Sequence, residues 1–231
     1  MAATQISAQG RRGIGKFFTS LIIGRPWIGA TVTLLVAMMA GGCRGPIAYM
    51  TNLFTPPPKK QAMFEPDDVT TLIFVDDLTS GITDRSVRRN LSLELQKQFQ
   101  ENGVFGDIRG YEHVERIRQR NGERKFARWP IDEVGTACDA KQVLYVEISE
   151  YYVQQAGGAQ LYSGKLRVQV KVVDVEAHRR LWPAGPAGHS VRVERNVTEG
   201  TTADFPQQMS RGMINQAADQ LAKLFYKHQV H

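Results

Sequence analysis

The chain has 231 residues, 42% hydrophobic and 23% charged, with a formal net charge of +6; this is the composition of an ordinary globular protein. The basic excess is concentrated at the start. Arg11, Arg12, Lys16 and Arg25 precede residue 43 with no acidic residue among them, leaving 25 basic against 23 acidic residues beyond it, a balance that gives no reason to expect nucleic-acid binding.

Residues 1–26 carry those four cations, and residues 27–42 are uncharged and mostly apolar. A basic region, a short apolar region and small residues before a cysteine are the pattern of a secretory signal. The apolar run is short of the ~20 residues that a spanning helix needs. The segment Ala40-Gly41-Gly42-Cys43 resembles a bacterial lipobox, although Ala40 stands where Leu is usual. The expectation is a signal peptide over 1–42 and lipidation of Cys43. Several acyl chains, at ~0.8 kcal/mol per buried CH₂, anchor stably. Arg44 after the cysteine, where Asp would retain a lipoprotein at the inner membrane, points to the outer membrane and a periplasm-facing domain. Arg11-Arg12 partly resembles a twin-arginine signal, with Gly15 against it.

With Cys43 lipidated, Cys138 has no partner for an intrachain disulfide, and the fold must rest on its core. Cys138 reads as a small buried side chain. Residues 43–69, with Pro56-Pro57-Pro58, read as a stiff tether, and 70–231 as a single α/β domain.

Thr71–Val75 is a continuous apolar run, the mark of a strand buried on both faces. Asp76-Asp77 opens a loop, and Thr83 or Asp84 can cap a helix whose Val87, Leu91, Leu95 and Phe99 form one stripe. Gly103 ends it. A short strand is expected at 104–108. A helix over 111–120 turns Val114 and Ile117 inward and Arg116, Arg118 and Arg120 outward; 122–128 reads as a loop; a third helix lies between Pro130 and Asp139. Residues 143–153 form a strand with Leu144, Val146 and Ile148 on one face and Val143 and Tyr145 on the other. A turn at 155–159 leads to a strand over 161–175 that alternates Leu166, Val168, Val170 and Val172 against Lys165, Arg167, Gln169 and Lys171. Period two with one polar face means a half-exposed antiparallel strand. Short strands at 179–182 and 190–197 follow. A long C-terminal helix over 204–227 carries Met209, Met213, Ala217 and Leu221 inward. The fold class is therefore α+β (α/β), with a mixed, largely antiparallel sheet of about four to five strands and helices packed on it.

The run Cys138–Ile148, the strand Tyr162–Val175 and the Leu181-Trp182 pair resemble the CsgG-like and TolB N-terminal-like domains of bacterial envelope proteins. That resemblance spans roughly 70–228 and implies a fold more than a function.

No HExxH, CxxC, GxSxG or phosphate-binding glycine loop occurs, so neither a metal nor a cofactor is expected. Asp76-Asp77 reads as a helix-capping loop in preference to an acid pair. The tyrosines Tyr151, Tyr152 and Tyr162 and the cations Lys165 and Arg167 are the candidate partner-binding residues, since aromatics and Arg are enriched at interface cores. The stripe Lys165, Arg167, Lys171 reads as a solvated strand face, with lipid headgroups as its functional alternative. The expected function is a non-catalytic binding or assembly factor in the cell envelope. It would be held to the membrane by its lipid and would bind an envelope protein or further copies of itself. The alternative is an oligomeric, CsgG-like secretion-channel subunit.

Overall fold

A computed structural model describes residues 59–77, 85–156, 161–198 and 204–229. The signal, Cys43, the three consecutive prolines, the loop after Asp77 with its capping residues, and the turn at 157–160 lie outside the described residues. Contacts divide the chain at Pro56/Pro57, and every described residue belongs to the second unit.

That unit is built on a six-stranded mixed sheet. Its strands are β2 (Thr71–Asp76), β3 (Ile108–Arg109), β4 (Gln142–Ala156), β5 (Leu161–Asp174), β6 (Arg179–Trp182) and β7 (His189–Val197). The order is β3-β2-β4-β5-β6, and β7 pairs with the outer edge of β5 beside β6. β2 runs parallel to both β3 and β4, whereas β4, β5, β6 and β7 pair antiparallel. All six residues of β2 are buried, as the continuous apolar run predicts. A parallel neighbour requires a crossover. α1 (Arg85–Glu101) makes the first, and α2 (Tyr111–Asn121), α3 (Glu123–Phe126) and α4 (Ile131–Ala137) make the second.

The two crossovers lie on opposite faces. Val87, Leu91, Leu95 and Phe99 of α1 join Ile73, Val75, Leu144, Val146 and Ile148 in one core, with the even-numbered residues Leu166 to Val172 of β5. α5 (Phe205–Ala222) completes this face through Met213, Ile214, Ala217, Ala218 and Leu221. The methionines of α5 lie against β5 where Gly164 stands; a Cβ at Gly164 would come within 2.9 Å of Met209 Cε and Met213 Sδ. The other face carries a smaller core of Leu72, Phe74, Val114, Phe126, Val134, Val143 and Tyr145.

Four sequence expectations change. The strand at 104–108 shrinks to Ile108–Arg109, because Phe105 is drawn into the core against Phe99 at 4.9 Å. The loop at 122–128 contains α3, whose Phe126 is buried. Arg118, expected outward, is buried at 3% exposure. Residues 59–69, read as tether, run along the domain. β1 (Lys59–Lys60) pairs with β8 (His228–Gln229), the amides of Met63 and Phe64 donate to Leu224 O, and Phe64 stacks on Trp182. Among the described residues no helix is long and apolar enough to cross a membrane.

Candidate functional site: an open sheet face and the polar cluster at its rim

Among the described residues, the helical cover of the second face lies over β2 and β4 and reaches β5 through α4. Beyond it, Arg167 of β5 and Arg192 and Glu194 of β7 stand exposed. Strand alternation sets which side chains stand there, and the pairing register sets their neighbours. Glu150 lies opposite Arg167, Tyr152 opposite Lys165, Lys165 opposite Glu194 and Arg167 opposite Arg192. The acids Glu150 and Glu194 stand among the bases Lys165, Arg167 and Arg192. Lys165 Nζ donates to Glu150 Oε1 at 2.7 Å and lies 3.8 Å from Glu194, and Arg167 lies 3.7 Å from Glu150. Arg192 pairs with Glu194. The hydrogen bond from Lys165 holds the Glu150 carboxyl below its ordinary range.

The five predicted binding residues thus divide between two faces. Tyr152, Lys165 and Arg167 stand together on the open face. Tyr151 and Tyr162 face the other way. The Tyr151 hydroxyl donates to Ser210 Oγ of α5 at 2.8 Å, and the Tyr162 ring packs 4.9 Å from Phe205 at the start of α5. Cys43 lies outside the described residues.

The basic stripe also divides. Lys165 and Arg167 are ion-paired, whereas Lys171 has no carboxylate within salt-bridge distance among the described residues. Its ammonium stands 4.7 Å from the centre of the Tyr145 ring, a cation–π arrangement. Burial, and then the charge of Arg180, push the Lys171 ammonium below its ordinary pKa. Tyr145, Glu147, Gln169, Lys171 and Arg180 surround a pocket of about 170 Å³ closed on one side by residues 186–188.

Tyr145 links this pocket to a buried ionic cluster. The helices that follow β2 and β3 lie on opposite faces of the sheet, which makes the carboxyl ends of these strands a topological switch point, the place where α/β sheets open a crevice. Asp76 and Asp77 stand there. Asp76 is 5% exposed; it accepts the Asp77 amide at 2.9 Å and lies 3.9 Å from Arg118 Nη2. Burial raises its pKa, opposed by the Asp77 amide and Arg118. Asp77 accepts from Arg88 Nη1 at 2.8 Å. Arg118 also reaches Glu123 at 3.3 Å and stands 4.7 Å over the Phe126 ring. Tyr145 is pushed up by burial, by the charges of Asp76 and Glu147 and by a hydrogen bond to Asp76.

The sequence reading of Asp76-Asp77 as a capping loop missed this cluster. The signal was present in α2. Arg118 follows Val114 by four, so it shares that residue's inward face. Arg88 precedes Leu91 by three and Ser92 by four, both buried in α1, in the same way.

No family model matches the chain, and no curated protein matches it. Solved structures do. Lipoprotein GNA1162 from Neisseria meningitidis is 14% identical, with 65% of this chain and 98% of that one covered, at a TM-score of 0.44. A PelC dodecamer from Paraburkholderia phytofirmans is 14% identical, with 74% and 99% covered, at 0.41. Rare lipoprotein B from Shewanella oneidensis is 15% identical, with 65% and 89% covered, at 0.31. The similar structures include bacterial lipoproteins, and what the chain itself defines is a mixed α+β domain with a half-covered sheet.

Proposed function

We propose that this chain is a lipid-anchored, non-catalytic binding or assembly factor of the bacterial envelope, held at the outer membrane by Cys43 and facing the periplasm. Its partner is an envelope protein that docks on the open face of β4, β5 and β7. The observation that carries the docking reading is the ordered row of Glu150, Tyr152, Arg167, Arg192 and Glu194, solvent-facing around a partly buried Lys165. Three strands present it, and neither crossover covers it. Charges of both signs in fixed register favour specificity and orientation over raw affinity. The anchor rests on the sequence: the basic region, the apolar run and Ala40-Gly41-Gly42-Cys43.

Metabolic labelling with a palmitate analogue, followed by membrane fractionation, tests the anchor. Wild type is expected to be labelled and membrane-bound, and Cys43→Ala unlabelled and released. Unchanged labelling and retention in Cys43→Ala would remove the lipoprotein reading.

A further inference from the structure

The pocket beside Tyr145 is more than a gap between side chains, because its parts are held from several directions. Tyr145 and Glu147 of β4 and Gln169 and Lys171 of β5 form the floor. Arg180 of β6 forms one wall, and its guanidinium donates to the backbone carbonyls of Gly185 at 2.5 Å and Pro186 at 2.8 Å. These bonds fix the loop between β6 and β7. Gly188 brings that loop against β5 so closely that a Cβ there would lie 3.0 Å from Val170 O and 3.2 Å from Gln169 Cβ. Sheet and loop together keep the pocket's shape.

Its size and charge select the ligand. A volume of about 170 Å³ is close to that of a cavity that holds one benzene, and well below the ~300 Å³ at which drug-sized ligands begin. It takes one end group. Two cations, Lys171 and Arg180, face one anion, Glu147, so the lining carries a net single positive charge. A monoanion balances it; a dianion is opposed by Glu147. Lys171 supplies up to three donors, none of them committed to a carboxylate of the described residues, and the Tyr145 ring fixes the ammonium from below. The Tyr145 hydroxyl is turned to Asp76, which leaves the ring as the part of Tyr145 available to Lys171. Gln169 adds a carboxamide donor on the same floor.

We infer that this pocket binds a single carboxylate, with Lys171 as its counter-ion and Gln169 as a neutral donor. The carboxylate is either that of a free small acid or an Asp, Glu or C-terminal group presented by the partner. The inference deepens the docking reading, because the pocket opens on the same face as Lys165 and Arg167. It rests on that reading only for the source of the carboxylate.

Competitive amine labelling of the full-length protein in detergent tests it. Lys171 and Lys165 are acylated with a succinimidyl ester and quantified by peptide mass spectrometry. The arms contain sodium propionate, an N-acetylated and C-amidated peptide bearing one Glu, inorganic phosphate, or sodium chloride at matched ionic strength. A ligand at about ten times its Kd leaves its site free about a tenth of the time, so Lys171 labelling is expected to slow about tenfold while Lys165 is unchanged. Protection by propionate alone assigns a free acid, protection by the peptide alone assigns a presented side chain, and protection by both assigns the carboxylate itself. Protection by chloride or by phosphate equal to that of the carboxylates overturns the inference, as does no protection in any arm. The labelling is read without the partner, so its failure leaves the docking reading standing and separately testable.

Discussion

Replacing Arg118 by Met isolates the buried ionic cluster. Arg118 and Asp76 are 3% and 7% exposed at their side chains. Breaking a buried pair typically costs ~3–5 kcal/mol, because a charge is stranded. Here the contact is 3.9 Å, longer than the ~2.7–2.9 Å of a charge-assisted hydrogen bond, and Asp76 keeps the Asp77 amide. The other partner of Arg118, Glu123, is 55% exposed and loses little when left to water. The expected loss is therefore at or just below the bottom of that range, about 2–3 kcal/mol at pH 7. The sign of the pH dependence follows from Asp76. Its folded pKa is raised above the ordinary Asp value of 3.8, so the folded chain holds its proton more tightly than the unfolded one. The stability linked to this group is full below about 3.8 and is lost as pH rises through the folded value. Removing Arg118 raises the folded value further. The gap between wild type and Arg118→Met should thus widen from pH 4 to pH 7. Adding Asp76→Asn, which preserves an acceptor without charge, should recover most of it. Urea unfolding at both pH values measures this. A gap that does not change with pH, or a double variant no more stable than Arg118→Met, would refute the stranded-charge explanation.

Two further outcomes follow from packing. A Cβ on Gly135 of α4 would lie 2.6 Å from Val175 Cγ2 and 2.7 Å from Val143 Cγ2, so Gly135→Ala should lower stability by roughly 1–3 kcal/mol through overpacking, measured as a shift in the urea midpoint at unchanged slope. Burial pushes the Cys138 thiol up to about 11, which leaves on the order of a thousandth of it as thiolate at pH 8, and the thiolate is the reactive form. A maleimide should therefore label Cys138 only as fast as the domain opens, and rapid labelling of the folded protein would contradict its buried placement.

Much of the fold was legible because its helices and β5 bury one face each, while β2 buries both. The four-residue spacing Val87, Leu91, Leu95, Phe99 and the two-residue alternation from Leu166 to Val172 have single solutions as helix and strand. Val114 and Ile117 marked the inward face of α2 for the same reason. Phe105 misled because an apolar residue in a short run can reach the core from a loop as well as from a strand. Arg118 misled because charge was read ahead of position; on the inward face of α2 its guanidinium is matched by Asp76 and Phe126, partners 42 residues before it and 8 after it in the chain. The division of the tyrosines depended on the register shift between Ile148 and Glu150. That irregularity places Tyr151 toward α5 and Tyr152 on the open face, and no residue-type signal announces it. The pocket was not legible at all, since Tyr145, Lys171 and Arg180 meet only through the pairing of three strands.

Photocrosslinking in native membranes from two positions on the same side of the sheet, one on its open strands and one on its helical cover, tests the docking surface most directly. A benzoylphenylalanine in place of Arg192 stands on the open face, and one in place of Glu112 stands on the exposed side of α2. A discrete adduct with an envelope protein from position 192 and none from position 112 is the expected result. An adduct from position 112 alone, or the same adducts from both, would contradict an assignment of the open sheet face as the docking surface.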